Sequence, residues 1–344
     1  MMKALVLKEY RNLRYEDVPE PNYGATDLLV RVKACAICGS DVQGIDGSTG
    51  RRKPPVIMGH EAAGVVEAVG RDVQGFKAGD RITFDSTIFC GQCYFCRKGQ
   101  INLCDNRRVL GVSCDEYRQN GAFAEYVAIP SRIAYHLPDQ VSFERAAMVE
   151  PVSIALHAVN LAPITVNDTA LVLGAGMIGL FIIQILRIAG CGQVIAVDID
   201  PSKFELARKL GATTCLKSDS GDLMEQILQQ THGRGADVGF EVVGITPTVQ
   251  TAVKGVRKGG SLVLVGNLQS QVDFPLQSVV TRQVTAYGSC ASSGEYPTCL
   301  ELIESGKVNV DALISASAPL KDGANWFKRL YGKEPGLMKV ILRP

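Results

Sequence analysis

Cysteines at 90, 93, 96 and 104, in "CGQCYFCRKGQINLC", follow a C-x2-C-x2-C-x7-C spacing. Two-residue gaps let a turn aim successive sulfurs inward, so Cys90, Cys93, Cys96 and Cys104 can give four thiolates to one tetrahedral zinc. The spacing could also serve an iron–sulfur cluster or a redox pair, but four cysteines so spaced in a chain without secretory features point to zinc. Four thiolates leave no position open for water or substrate. This is a structural site.

A second group of metal-ligating residue types lies upstream. "CGSD" places Cys38 after a strand-like run, and "GHEAAG" places His60 and Glu61 just before another. A thiolate, an imidazole and a carboxylate form a three-ligand zinc site with a position left for water or substrate. On spacing alone, a packing cysteine and a polar turn are at least as good a reading. Ser40 reads either as a turn cap or as a hydroxyl beside that metal.

The third motif is "GAGMIG", with Gly174, Gly176 and Gly179 in G-x-G-x-x-G spacing. It closes an apolar run, "TALVL", and opens a helix-length run, while Asp198 ends the next apolar run, "QVIAVD". That context makes a weak pattern a strong dinucleotide signal. The first glycine permits the turn, the second lets backbone approach a pyrophosphate, and the third allows close helix–sheet packing. Asp198 would accept from the adenosine ribose hydroxyls and repel a 2′-phosphate. Ile199 and Asp200 follow, with no arginine, so NAD is favoured over NADP.

These motifs need two kinds of scaffold. Up to about residue 150, short runs such as "LLVRVKACAIC", "AAGVVEAVG" and "DRITFDS" alternate with Gly, Pro and Asp turns, a β-rich pattern. From about 165, apolar strands alternate with helical runs, which predicts a parallel sheet covered on both faces. The 344 residues suffice for two domains, and 36 Lys and Arg against 35 Asp and Glu exclude a basic nucleic-acid surface. No apolar run reaches membrane-spanning length and the N-terminal one is too short for a signal peptide. The expectation is a soluble, cytoplasmic protein that binds neither nucleic acid nor membrane.

"GHEAAGVVEAVG", "GDRI", the four-cysteine lobe, "GAGMIG" and the closing "GLMKVILRP" together resemble the zinc-dependent medium-chain dehydrogenases across essentially the whole chain. "CGSDV" and "MVEPVSIALHA" resemble the polyol branch most, with sorbitol dehydrogenase among its members. The resemblance implies an α/β protein: a GroES-like β-rich catalytic domain interrupted by a Rossmann doubly wound parallel sheet. Its expected limits are 1–155 for the catalytic domain with a zinc lobe near 88–106, 156–290 for the Rossmann domain, and 291–344 for the return. It implies two zinc ions per chain, with Cys38, His60 and Glu61 as catalytic ligands and Glu150 either ligating that zinc or holding its water. Ser40 matches the hydroxyl that bonds the substrate oxygen. Met177, Ile178, Lys203, Val243 and Val265 match positions around the dinucleotide.

The implied reaction is NAD-dependent oxidation of a secondary alcohol in a polyol or sugar derivative, by a homodimer or homotetramer. The alternatives are an amino-alcohol oxidation of the threonine 3-dehydrogenase type and a zinc-depleted, non-catalytic relative. Two departures stand out. Gln43 occupies the place of a histidine that ends the proton relay in many relatives, and Ala291 lies near the place of a substrate-binding arginine of sorbitol-type enzymes. Arg51, Arg52 and Lys53, in "TGRRKPP", read as a solvated run, or as a receiver for an anionic group on the substrate. Cys35, Cys114, Cys191, Cys215, Cys290 and Cys299 read as small buried hydrophobes, and Trp326 as core.

Overall fold

The strand Asp27–Ala36 sits at the middle of the first large sheet in the computed structural model, which describes residues 1–113 and 119–344. Cys114 and part of the 111–120 loop lie outside the described residues. Leu28, Val30 and Val32 are buried while their neighbours are more exposed, the period-two pattern of a half-buried strand, and Ala34–Ala36 are buried throughout. Antiparallel partners are Glu61–Val69, Tyr126–Pro130 and, at its far end, the C-terminal strand Lys339–Arg343. Arg81–Phe84 and Ala134–His136 extend the sheet on one side, and Ile314–Pro319 on the other. A smaller sheet of Asn12–Val18, Met2–Glu9 and Val56–Ile57 shares its core, where Leu5, Val30, Ile82, Phe123 and Phe327 lie in one buried cluster.

The second architecture is a six-stranded parallel sheet. Its order is Thr214–Lys217, Gln193–Asp198, Thr169–Leu173, Ala236–Glu241, Val256–Leu264, Thr285–Gly288. This is the doubly wound order in which the chain reverses direction beside the first strand, and ligands bind at such a switch point. Ala170–Leu173 and Val194–Val197 are wholly enclosed, as near-continuous apolar strands should be. The sequence pattern runs the helix Thr246–Gly255 on into "VRKGG". Instead Val256 turns extended, at φ −82 and ψ 150, and pairs with Ala236. A Cβ on Gly255 would stand 2.5 Å from Leu171 Cδ2, so glycine fits the close approach at the helix end.

Met1–Glu150, Ser293–Gly306 and Val310–Pro344 form one compact unit, and Pro151–Ser292 with Lys307–Asn309 form the other. The expected limits at 155/156 and 290/291 fall a few residues from these divisions. The first division lies inside the helix Val149–Leu161, and Glu150 stands among charged groups of the first unit. Among the described residues no helix is long and apolar enough to cross a membrane.

Candidate functional site

Cys38 ends the central strand's run and caps the short helix Gly39–Gly44, its sulfur accepting from Ser40 N at 3.4 Å. His60 and Glu61 stand at the start of Glu61–Val69, and Glu61 pairs with Ala36 across the ladder. Adjacent strands therefore bring Cys38 to the distant His60–Glu61 pair. Gly59 allows the approach: it takes φ +93, and a Cβ there would stand 2.9 Å from Cys35 Sγ. One ligating atom each from Cys38, His60 and Glu61 lies within 4.8 Å of the others. His60 and Glu61 are buried and Cys38 is partly so.

Buried charges of both signs surround this cluster. Asp41 Oδ2 stands 3.4 Å from His60 Nδ1, and neither atom has a hydrogen-bond partner of good geometry. Burial disfavours a charged His60 ring, yet Asp41 and the Cys38 sulfur raise its pKa well above the ordinary value. Burial would likewise raise the Asp41 carboxyl, but His60 and Arg52 hold it down at about 2. Such a pocket favours a cation, and a metal ion on the ring would replace the proton. Lys339, from the C-terminal strand, holds Glu61 Oε2 at 2.5 Å, with both side chains enclosed. The other oxygen of Glu61 is left for a ligand.

Ser40 Oγ donates to Cys38 Sγ at 3.2 Å, so the hydroxyl lies against the cluster. Glu150 falls outside the 4.8 Å grouping of ligand atoms. Desolvation pushes its carboxyl up to about 8; Glu61 and Asp85 push the same way while His60 and Lys339 oppose them.

The four-cysteine lobe is built differently. A two-stranded ribbon, Thr87–Ile88 with Arg108–Val109, brackets it, and a single helical turn, Tyr94–Arg97, lies within. From 90 to 107 only Asn102 and Cys104 are buried, so no apolar core holds the segment. The sulfurs of Cys90, Cys93, Cys96 and Cys104 nevertheless converge within 4.8 Å. Backbone N–H groups of Gln92 and Cys93 draw the Cys90 thiol down to about 6, while desolvation pushes Cys96 up to about 12. Convergent thiols without a core fit a closed metal site.

In the parallel-sheet unit each glycine of "GAGMIG" has its own geometry. Gly174 takes φ +106, a Cβ on Gly176 would meet open space, and one on Gly179 would stand 1.8 Å from Gly174 O. Gly176 caps the helix Met177–Ile188 without a side-chain bond, which leaves its first N–H groups for an anion. Asp198 Oδ2 accepts from Ala175 N at 2.7 Å, and Lys203 Nζ lies 3.1 Å from Asp198 Oδ1. Val243 and Val265 follow the ends of their strands at the same edge of the sheet, and Val243 Cγ2 would stand 2.8 Å from a Cβ on Gly174.

Residues 24–139 match the alcohol dehydrogenase GroES-like domain, and residues 178–305 match the zinc-binding dehydrogenase domain. Sorbitol dehydrogenase of Bacillus subtilis is 32% identical over 348 residues, covering 100% of this chain and 97% of that protein. The chain belongs to the zinc-dependent medium-chain dehydrogenases, on their polyol branch. L-idonate 5-dehydrogenase of Vitis vinifera is 36% identical over 312 residues, covering 89% of this chain and 84% of the other. A zinc-binding dehydrogenase of Sinorhizobium meliloti 1021, solved with NADP, superposes with a TM-score of 0.91 at 32% identity, over 100% of this chain and 99% of that one.

Within this dehydrogenase, sequence reasoning overlooked two charged residues and misread a third. Asp41 stood in the quoted "CGSD" and Lys339 in "GLMKVILRP", but neither shows its partner locally. Arg52 was grouped with Arg51 and Lys53, which are exposed, whereas Arg52 is only 2% exposed and paired with Asp41. It is therefore neither solvated nor free to receive an anionic substrate. Cys35, Cys191 and Cys299 are buried as expected and Cys215 is partly so, but Cys290 is exposed. Its place in the loop after Thr285–Gly288 gives it no core to enter. Trp326 packs partly buried against the core, with the Arg329 guanidinium 4.0 Å from its ring.

Proposed function

We propose that this dehydrogenase oxidises a secondary alcohol of a polyol or sugar derivative to the ketone, using NAD and carrying one reactive and one structural zinc per chain. The convergence of Cys38, His60 and Glu61 against the Ser40 hydroxyl carries the reading. Similarity to proteins named sorbitol dehydrogenase and L-idonate 5-dehydrogenase supports the substrate class.

Zinc at this cluster would polarise the alcohol oxygen and favour its deprotonation, and NAD would accept the hydride. Cys38, His60 and Glu61 would hold the metal, with Asp41 facing His60 Nδ1 at 3.4 Å and Lys339 holding one oxygen of Glu61. Ser40 Oγ, lying against the Cys38 sulfur, would accept a hydrogen bond from the substrate hydroxyl and so orient the proton that leaves it. Glu150, with its raised pKa, can hold a proton close by, a role Gln43 cannot fill. Gly174, Gly176 and Gly179 admit the pyrophosphate, with Met177 and Ile178 opening the helix behind it. Asp198 and Lys203 face the adenosine ribose. The second acid, Asp200, and the engagement of Lys203 with Asp198 support NAD, although the Sinorhizobium relative carries NADP.

Exposed Leu268, Leu276 and Val280 near the edge strand Thr285–Gly288 support assembly as a homodimer or homotetramer. The functional test is NADH or NADPH formation by the zinc-loaded protein across polyols, aldonates, sugar phosphates, threonine and simple alcohols. Oxidation of a polyol or aldonate, faster with NAD, is expected. Activity confined to threonine would move the protein to the amino-alcohol class, and a wild-type protein with the reactive site empty would make it a non-catalytic relative.

A further inference from the structure

Among the cations of "TGRRKPP", Arg52 alone turns inward. Its stem lies across the helix Gly39–Gly44, where a Cβ on Gly44 would stand 2.5 Å from Arg52 Cγ. Glycine at 44 is thus what makes room for the arginine. Nε and Nη2 both donate to Asp41 Oδ1, at 3.1 and 2.7 Å, and Nη1 donates to the Arg51 carbonyl at 3.4 Å. Nη2 also reaches Ser40 Oγ, at a longer 3.4 Å.

Two chains of contacts leave this one guanidinium. Through Asp41 it reaches His60, whose Nδ1 faces Asp41 Oδ2. Through Ser40 Oγ it reaches Cys38, because that hydroxyl donates to the sulfur. A guanidinium only donates and does not lose its proton in a protein. Arg52 therefore occupies an acceptor position on Ser40 Oγ and keeps the hydroxyl proton turned toward the cluster. Held by Arg52, Asp41 likewise presents its second oxygen to His60 Nδ1, which leaves Nε2 for a ligand. A lysine could keep the charge, but not the planar fork that spans both partners.

We propose that Arg52 is a positioning residue for the reaction, fixing the Ser40 hydroxyl and the Asp41–His60 pair together. The inference rests on the zinc-dehydrogenase reading of the cluster, and it goes beyond the ligand set. It also assigns the buried cation of this loop to the site's own architecture and leaves Arg51 and Lys53 as the loop's only charges open to solvent.

The test uses full-length Arg52→Gln and Arg52→Lys, each zinc-loaded and also with cobalt(II) substituted at the Cys38–His60–Glu61 site. Loss of a partner behind a metal ligand costs roughly 10–100-fold in activity or metal affinity. Arg52→Gln is expected to lose turnover in that range with little change in the KM for NAD. Its cobalt absorption spectrum should shift and its reactive metal should leave faster to a chelator. Arg52→Lys should recover most of the spectrum but only part of the turnover. Wild-type turnover per metal-loaded molecule with an unshifted spectrum in Arg52→Gln would overturn the proposal, even if thermal stability fell. Should Arg52→Gln fail to fold, Arg52→Lys decides: full wild-type turnover and an unchanged spectrum would overturn it. If the wild-type protein oxidises no alcohol of the panel, the functional reading fails, while the cobalt spectrum and chelator rate still decide the role of Arg52.

Discussion

Two clusters of metal-ligating side chains sit in the same unit of this protein and are stabilised in opposite ways. The four thiols of the lobe stand in a segment with almost no buried side chains, joined to the rest by a short ribbon. Cys38, His60 and Glu61 stand at the heart of a sheet, among buried Asp41, Arg52 and Lys339. In the lobe a metal would be the core, so metal binding there amounts to folding free energy. In the sheet the core exists already, and the surrounding charges would tune a metal held there by three ligands. A closed, uniform donor set suits a staple; a mixed, electrostatically balanced one suits chemistry.

The strongest way to sharpen that contrast is to break the lobe. Cys96→Ser should reduce zinc from two to one per chain and open residues 88–106 to proteolysis, with dinucleotide binding retained. Mass mapping of limited digests, beside metal analysis, checks it; an undigested lobe that keeps its metal would mean the segment has another source of order.

The next effect belongs to the sheet site. Lys339→Met leaves Glu61 buried without its partner, at a cost of about 3–5 kcal/mol. Denaturant unfolding of the metal-free protein measures it. An exposed lobe residue such as Arg97, changed to alanine, should fall within about 0.5 kcal/mol of wild type in the same assay.

A smaller effect concerns pH. In the metal-free protein the Glu150 carboxyl has its pKa raised to about 8, so the folded chain keeps a proton that the unfolded chain has released. Stability from this group is therefore undiminished in acid and declines as pH climbs from the ordinary carboxylate range through about 8. Glu150→Gln should flatten that decline, read as the unfolding midpoint between mildly acidic and mildly alkaline buffers. An unchanged slope would mean Glu150 ionises normally.

The same two clusters show what a sequence discloses. The convergence of the lobe was legible because its four cysteines lie within one short run, at spacings that a tetrahedral metal site would require. The glycine motif was legible for a similar local reason, and Gly174, Gly176 and Gly179 each meet the geometry their positions require. Cys38, His60 and Glu61 were readable as residue types, but only strand pairing brings them together. The Lys339–Glu61 pair spans 278 residues of chain, and no local pattern announces it. Arg52 was misread because a cation in a basic loop looks solvated until its partner, Asp41, is seen beneath it. The end of the helix at Gly255 was missed for a related reason, since Val256 turns extended to pair with Ala236, a strand partner that no local pattern announces.

Metal analysis of the wild type and of His60→Ala, with NADH formation measured on the same samples, tests the central contrast most directly. We expect two zinc ions per chain in the wild type, and one in His60→Ala with the lobe still resistant to protease and turnover lost. A wild type with a single zinc, or a His60→Ala variant that keeps both zinc ions and its activity, would contradict the division into a staple and a reactive site.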